Sequence, residues 1–195
     1  MLTTSGGTTE GIFPVVVVKV NGITCRALID SGAGSSYISG KHAAMLHVKP
    51  VETRTSKNDM LLKSKTTKLD IYEATVESMV SDYAMNVKLI KVEKEELLTV
   101  DNPYYNKLRE EFYHFKQANF TDIDQKPQLL VHVVPGSGEY ARIKTGKHPF
   151  VRAEGQSIAK KVNLGWFAMS PGVELNNNTM LLTQTSKEIT KNCPA

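Results

Sequence analysis

The chain has 195 residues, a formal net charge of +4, and 41% hydrophobic and 23% charged residues. That is an ordinary globular composition with enough apolar material for a core. No run approaches the roughly 20 apolar residues that a helical membrane span needs. The charge is mild, and the locally basic Lys57, Lys63, Lys65 and Lys68 have no aromatic residues between them, which favours a solvated hairpin over a nucleic-acid surface.

Residues 1–13 read as a flexible lead-in, polar at first and rich in Thr and Gly. Residues 14–20 and 23–29 then form two apolar strands separated by Asn21-Gly22. That pair is favoured in a two-residue type I′ turn, where both positions need a positive φ. The second strand ends in Ile29-Asp30-Ser31-Gly32-Ala33-Gly34-Ser35, so the hairpin delivers a carboxylate, a hydroxyl and glycines at its tip. Residues 36–39 are extended, and 40–46 form a brief helix. Residues 48–55 form a strand leading to a polar tip at Ser56-Lys57-Asn58-Asp59, and Met60-Leu61-Leu62 begins the return. Residues 66–79 and 83–92 alternate apolar and polar and should pair, with one phase slip near Tyr72-Glu73.

The pattern then turns helical. Asp101 or Asn102 can cap a helix with Pro103 in its first turn. Leu108, Phe112 and Phe115 give it an apolar face, so the spacing predicts one helix over about 102–118. A short strand over 128–134 ends at Pro135-Gly136-Ser137-Gly138. Residues 158–169 read as one strand around the only tryptophan, Trp166, and 180–184 as a last one. The sum is a mainly β protein with one inserted helix.

Asp30 alone is a poor base at neutral pH, since a free aspartate titrates near 4. Two aspartates about 3 Å apart share one proton. The ionised member then activates a water while the protonated one polarises the scissile carbonyl. Ser31 would brace the loop, and Gly32 would let backbone approach the carboxylate. The sequence holds one Asp-Ser-Gly, so this chemistry requires a two-fold homodimer with one Asp30 from each copy. The bland alternative is a structural turn at a strand end.

A nucleotide-binding rival rests on Gly32-Ala33-Gly34 and on Gly136-x-Gly138-x-x-Ala141. Both lack the βαβ unit with a helix opening at the glycines. The five histidines show no metal-ligand spacing, and Cys25 and Cys193 have no CxxC partner, so no metal is expected. Two cysteines far apart suit a reducing, cytoplasmic compartment.

The hairpin, Leu28-Ile29-Asp30-Ser31-Gly32-Ala33, Ser36-Tyr37-Ile38-Ser39 and the polar-tipped hairpin together resemble retropepsin-like aspartic peptidases. Val133-Val134-Pro135-Gly136, Glu139-Tyr140-Ala141-Arg142-Ile143 and Leu164-Gly165-Trp166 make the pattern similar to the protease region of BEL/Pao-type retrotransposon polyproteins. Pro135, Gly138 and the glycine-free hairpin tip depart from the family pattern. The resemblance implies a closed antiparallel β fold over 14–145, with 146–195 as a C-terminal extension carrying the Leu-Gly-Trp strand. It implies a homodimer that hydrolyses a peptide or polyprotein with water and no cofactor, contacting neither nucleic acid nor membrane. Asp30 would be catalytic, with Ser31, Gly32 and Ala33 shaping its loop and Val134 and Gly136 supporting it. Asn58, Asp59 and Met60 would belong to a flap over the substrate. The rival from another class is a retropepsin-fold dimerisation or peptide-binding module without turnover.

Overall fold

The computed structural model describes residues 11–60, 63–151 and 157–170, with the side chains of 56–66 outside that description. Strands β1 (Val15–Val20) and β2 (Ile23–Leu28) pair antiparallel from Val15↔Leu28 to Val20↔Ile23. Their turn has Asn21 at φ 48° and Gly22 at φ 80°, the two left-handed positions expected of a type I′ turn. The Asn21 side chain also accepts from the Thr75 N–H at 2.8 Å. β1 is buried along one face, and on the other the burial fades from Val15 through Val17 to the exposed Lys19. Val16, Val18 and Val20 enter the main core, while Val15 packs outward against Val100, Leu129 and Val131.

The remaining strands are β3 (Ser36–Ser39), β4 (Glu52–Met60), β5 (Lys63–Ser78), β6 (Ala84–Val92), β7 (Leu98–Asp101), β8 (Gln128–Val131), β9 (Val133–Val134), β10 (Ile158–Val162) and β11 (Gly165–Met169). Helices are α1 (Gly40–Met45), α2 (Tyr105–Glu111) and α3 (Ser137–Ile143), with a 3-10 turn at Tyr113–Phe115. Seven strands form one sheet in the order β1-β2-β9-β3-β6-β5-β4, and Val18, Lys19 and Val20 pair with Ser78, Glu77 and Val76 to close it. The expected mainly β closed fold is therefore present, but the sheet is mixed rather than antiparallel. β2–β9 and β3–β6 run parallel, because long excursions of chain separate the members of each pair. The phase slip near Tyr72 has a physical basis: Ile71 and Tyr72 are adjacent on β5 and both buried.

The strand expected over 128–134 divides into β8, which pairs with β7, and β9, which enters the large sheet, and three further sequence expectations change. The β4–β5 register runs to Met60↔Lys63, so the hairpin connection falls at residues 61–62 and not at Asn58-Asp59. The polar stretch pairs residue for residue all the same, through Lys57↔Thr66, Asn58↔Lys65 and Asp59↔Ser64. The helix expected over 102–118 is broken at Phe112, which is extended at φ −108°, ψ 108°. Asn102 is buried and does not cap that helix through an ordinary N-cap geometry. Its amide donates to the Asp124 and Lys126 carbonyls at 2.7 and 2.8 Å, and its oxygen accepts from Tyr104 N–H. The run of aromatic residues after Glu111 has weak helix propensity. Tyr105, Phe115 and Phe120 gain more by packing with Ala159, Trp166 and Ala168. Third, residues 158–169 are a hairpin, β10 and β11, turning at Asn163-Leu164. The strand expected over 180–184 lies outside the described residues, as does Cys193. Among the described residues no helix is long and apolar enough to cross a membrane.

The short helix α1 follows β3 directly. Its N-cap Ser39 accepts from His42 N–H at 3.2 Å, and Ser39 Oγ also meets His132 Nδ1 at 2.9 Å. The His42 and His132 rings stack with centroids 5.6 Å apart, and among the described residues the buried His42 Nε2 has no partner. Burial, and then the field of His132, push the His42 imidazole down to about 4. Its unfolded value is near 6.5, so between those limits the unfolded chain binds the extra proton. The contribution of neutral His42 is complete above about pH 6.5 and is lost as pH falls toward 4. A urea-unfolding series from pH 7 to 4 should therefore show a loss on the order of 2–3 kcal/mol from this group. His42→Leu should flatten the profile in that window, and an unchanged slope would remove His42 as its source.

Candidate active site

β2 runs out at Leu28, and the Ile29 N–H donates to the Pro14 carbonyl at 2.8 Å. This bond ties the end of the strand to the start of β1 and brings Asp30 out at the edge of the closed sheet, half-exposed. Asp30 Oδ1 accepts from the Gly32 N–H at 2.8 Å, an Asx-type turn that orients the carboxylate from within its own loop. A Cβ on Gly32 would stand 3.3 Å from that oxygen, so glycine keeps the approach open. Ser31 and Gly32 are exposed, and Ala33 is half-buried. Among the described residues, Gly32 supplies the one hydrogen bond to the Asp30 carboxylate.

The rest of the loop is held from below by residues about a hundred positions away. β9 enters between β2 and β3, with Val133 opposite both Ala27 and Ile38, and Val134 opposite Tyr37. His132 N–H donates to the Arg26 carbonyl at 3.0 Å, and Ser39 N–H to the His132 carbonyl at 2.9 Å. The chain then passes through Pro135 into Gly136 and α3. Gly136 lies against the loop so closely that a Cβ there would be 2.7 Å from the Ser35 carbonyl carbon and 3.1 Å from the Ala33 oxygen. Its N–H donates to Ser36 Oγ at 2.8 Å, and the next N–H, of Ser137, donates to the Ala33 carbonyl at 2.7 Å. Ser36 Oγ in turn donates to Glu139 Oε2 at 2.6 Å.

Sequence reading singled out Asp30, Ser31, Gly32, Ala33, Val134 and Gly136, and the structure brings all six into one region. Asn58, Asp59 and Met60 are on the outgoing strand of the β4–β5 ribbon, and their side chains lie outside the described residues. Ser36 and Glu139 fall in motifs that carry the resemblance and Ser137 lies between the two glycines, but the sequence assigns none of the three a role at the site. Ser36 and Glu139 are separated by 103 positions, and no local pattern links residues at that range.

A helix does open at Gly136, contrary to the sequence expectation for that glycine pair, but its entrance is taken up by the Asp30 loop. The Ser35 backbone fills the space over Gly136, and the N–H groups of Gly136 and Ser137 already have acceptors. Among the described residues no three His, Cys, Asp or Glu side chains are grouped so as to hold a metal. Cys25 is a buried free thiol whose pKa burial pushes up to about 12, against the lowering field of Arg26. It is a packing residue on β2 and not a nucleophile. Arg26 is clamped by Asp122 at 2.5 Å and Asp124 at 2.9 Å, which fastens the loop after the helical segment to the outside of β2.

Comparison with known proteins gives the stretch around Asp30 a relative. Residues 16–96 match the family model described as Aspartyl protease. That stretch begins at β1, contains the whole Asp30 loop and both strands of the ribbon, and ends before β7. A search of the curated proteins gives no match. Among solved structures, the chain is similar to the retroviral protease-like domain of Ddi1 from Leishmania major. The identity is 11%, with 84% of this chain and 98% of that chain covered, and the TM-score is 0.38. So loose a likeness decides nothing, and the closed sheet rests on its own strand pairings. The aspartyl-protease similarity lies where the geometry presents a carboxylate.

The close approach at Gly136 gives a sharp contrast with its neighbour. Gly136→Ala must displace the Ser35 backbone, and a chemical-denaturation curve should show it less stable by about 2–4 kcal/mol. Gly138 sits in α3 with open space around a Cβ, so Gly138→Ala should be neutral or stabilise by up to about 1 kcal/mol. Equal effects at the two positions would contradict the close contact.

Proposed function

We propose that the chain is an aspartic endopeptidase of a retroelement polyprotein, acting as a homodimer in which the Asp30 carboxylates of two copies share one proton and activate a water. The observation that carries this reading is a half-exposed Asp30 on a loop fixed from beneath by Gly136, within the stretch that matches aspartyl proteases. A single carboxylate in one chain cannot serve at once as base toward water and as acid toward the carbonyl. A second copy related by a two-fold axis supplies the missing partner. Water is the nucleophile, and no cofactor takes part.

The other residues have supporting roles in this reading. Ser31 and Gly32 shape the turn that presents the carboxylate, and Ala33 lines the wall beside it. Asn58, Asp59 and Met60, near the free end of the β4–β5 ribbon, contact substrate. The ribbon lies over an extended peptide and binds it by strand-like hydrogen bonds, while excluding water from the reaction. A buried reduced thiol at Cys25 is at home in the cytoplasm.

The test is cleavage of a peptide library at mildly acidic pH by the purified chain, beside Asp30→Asn and with pepstatin in parallel. The parent should cleave, and Asp30→Asn should lose on the order of 10³-fold in kcat. Specific activity should fall on dilution as the dimer dissociates. A folded, dimeric parent that cleaves nothing would instead favour a peptide-binding module built on the same fold.

A further inference from the structure

The Ser36 hydroxyl stands where the Asp30 loop meets α3, and it is engaged there as both donor and acceptor. It accepts from the buried Gly136 N–H at 2.8 Å and donates its only proton to Glu139 Oε2 at 2.6 Å. Ser36 is itself buried. A hydroxyl has one proton and can rotate, so its acceptor decides where its lone pairs point. The Glu139 carboxylate takes the proton, and a lone pair is left aimed at Gly136. The short distance suits an O–H···O⁻ bond, which is stronger than one between neutral groups.

Gly136 and Ser137 are the two residues through which α3 grips the loop. The first is held by Ser36 Oγ and the second by the Ala33 carbonyl, so the segment 33–36 is fastened at both ends. Gly32, next in line, carries the N–H that orients the Asp30 carboxylate. Displacement of α3 at its first turn would pass along this short path to the carboxylate. Glu139 lies in that first turn, yet its carboxylate bonds across to Ser36.

We propose that Glu139 is a positioning residue for Asp30, acting through the Ser36 hydroxyl to fix the Gly136 contact beneath the catalytic loop. The catalytic part of this inference rests on the aspartic-peptidase reading, whereas the positioning of the loop can be read without any cleavage. What the function requires of Glu139 is a hydrogen-bond acceptor at that place. Glutamine keeps one and alanine does not.

The full chain carrying Glu139→Ala, and separately Glu139→Gln, is compared with the parent in two measurements. Amide hydrogen exchange at Gly32, Gly136 and Ser137 reports the loop in the free protein. The values of kcat and KM, per active site titrated with pepstatin, report its effect on peptide hydrolysis. Glu139→Ala should speed Gly136 exchange by about tenfold or more and lower kcat by about 10–100-fold, with KM within about twofold. Glu139→Gln should return both to within about threefold of the parent.

Exchange and kcat left unchanged by Glu139→Ala would overturn the proposal. A glutamine variant as impaired as the alanine one would overturn it as well, since the acceptor would then not be what matters. An exchange effect with no change in kcat would overturn the link to Asp30. If the parent cleaves nothing, the peptidase reading fails by itself, and Gly136 exchange in the two variants still decides whether Glu139 holds the loop.

Discussion

Everything at the candidate site depends on two segments of backbone being nearly in contact: Gly136 and the turn at Ser35, where even one added carbon would come within 2.7 Å. Hydrogen bonds from Gly136 and Ser137 to Ser36 and Ala33 then make that contact directional. The cost of ordering a polar loop at the end of a strand is considerable. Here it is offset by bonds to a segment that is itself buried in the sheet through Val133 and Val134. A carboxylate can thus be half-exposed and still well oriented.

Local chemistry made much of this legible. Asn21-Gly22 announced its turn because only a few residues tolerate two positive φ values in succession. The alternation in residues 66–92 announced β5 and β6 because one face of each is buried. The Asp30 turn could be seen because Gly32 and the preceding apolar strand lie within a few positions of it. β9 could not be seen as a separate strand. It has two residues, and its neighbours β2 and β3 are more than ninety positions away. The long reading of residues 128–134 as one strand ran together β8, which pairs with β7, and β9, which enters the closed sheet. Nothing local marks the change of partner at His132. Glu139 was hidden for the same reason, since its role depends on which hydroxyl the fold brings to it.

The outer layer shows how tertiary packing can override a local pattern. Leu108, Phe112 and Phe115 fit one helical stripe, yet the chain breaks at Phe112 and its aromatic groups fold around the β10–β11 hairpin. Asn102 has the chemistry of a helix cap and instead spends its amide on the carbonyls of Asp124 and Lys126. Arg26 then secures the same loop to β2. The loop after the helical segment is thereby fixed to the strand that carries Asp30 at its end.

β5 is sixteen residues long and belongs to two structures at once. From Ile71 onward it is a wall of the closed sheet, paired with β6. Before Ile71 its partner among the described residues is β4 alone. Mechanically this is a cantilever clamped at Ile71. Thr53 and Lys91 reinforce its root by holding the Asp70 carboxylate at 2.9 and 3.3 Å. The eight residues from 63 to 70 extend the beam by roughly 26 Å at about 3.3 Å per residue. Two-stranded ribbons twist strongly and have little stability of their own. Bending of the two-stranded part is therefore referred to a root that pairing on both sides holds in fixed register at the wall of the closed sheet.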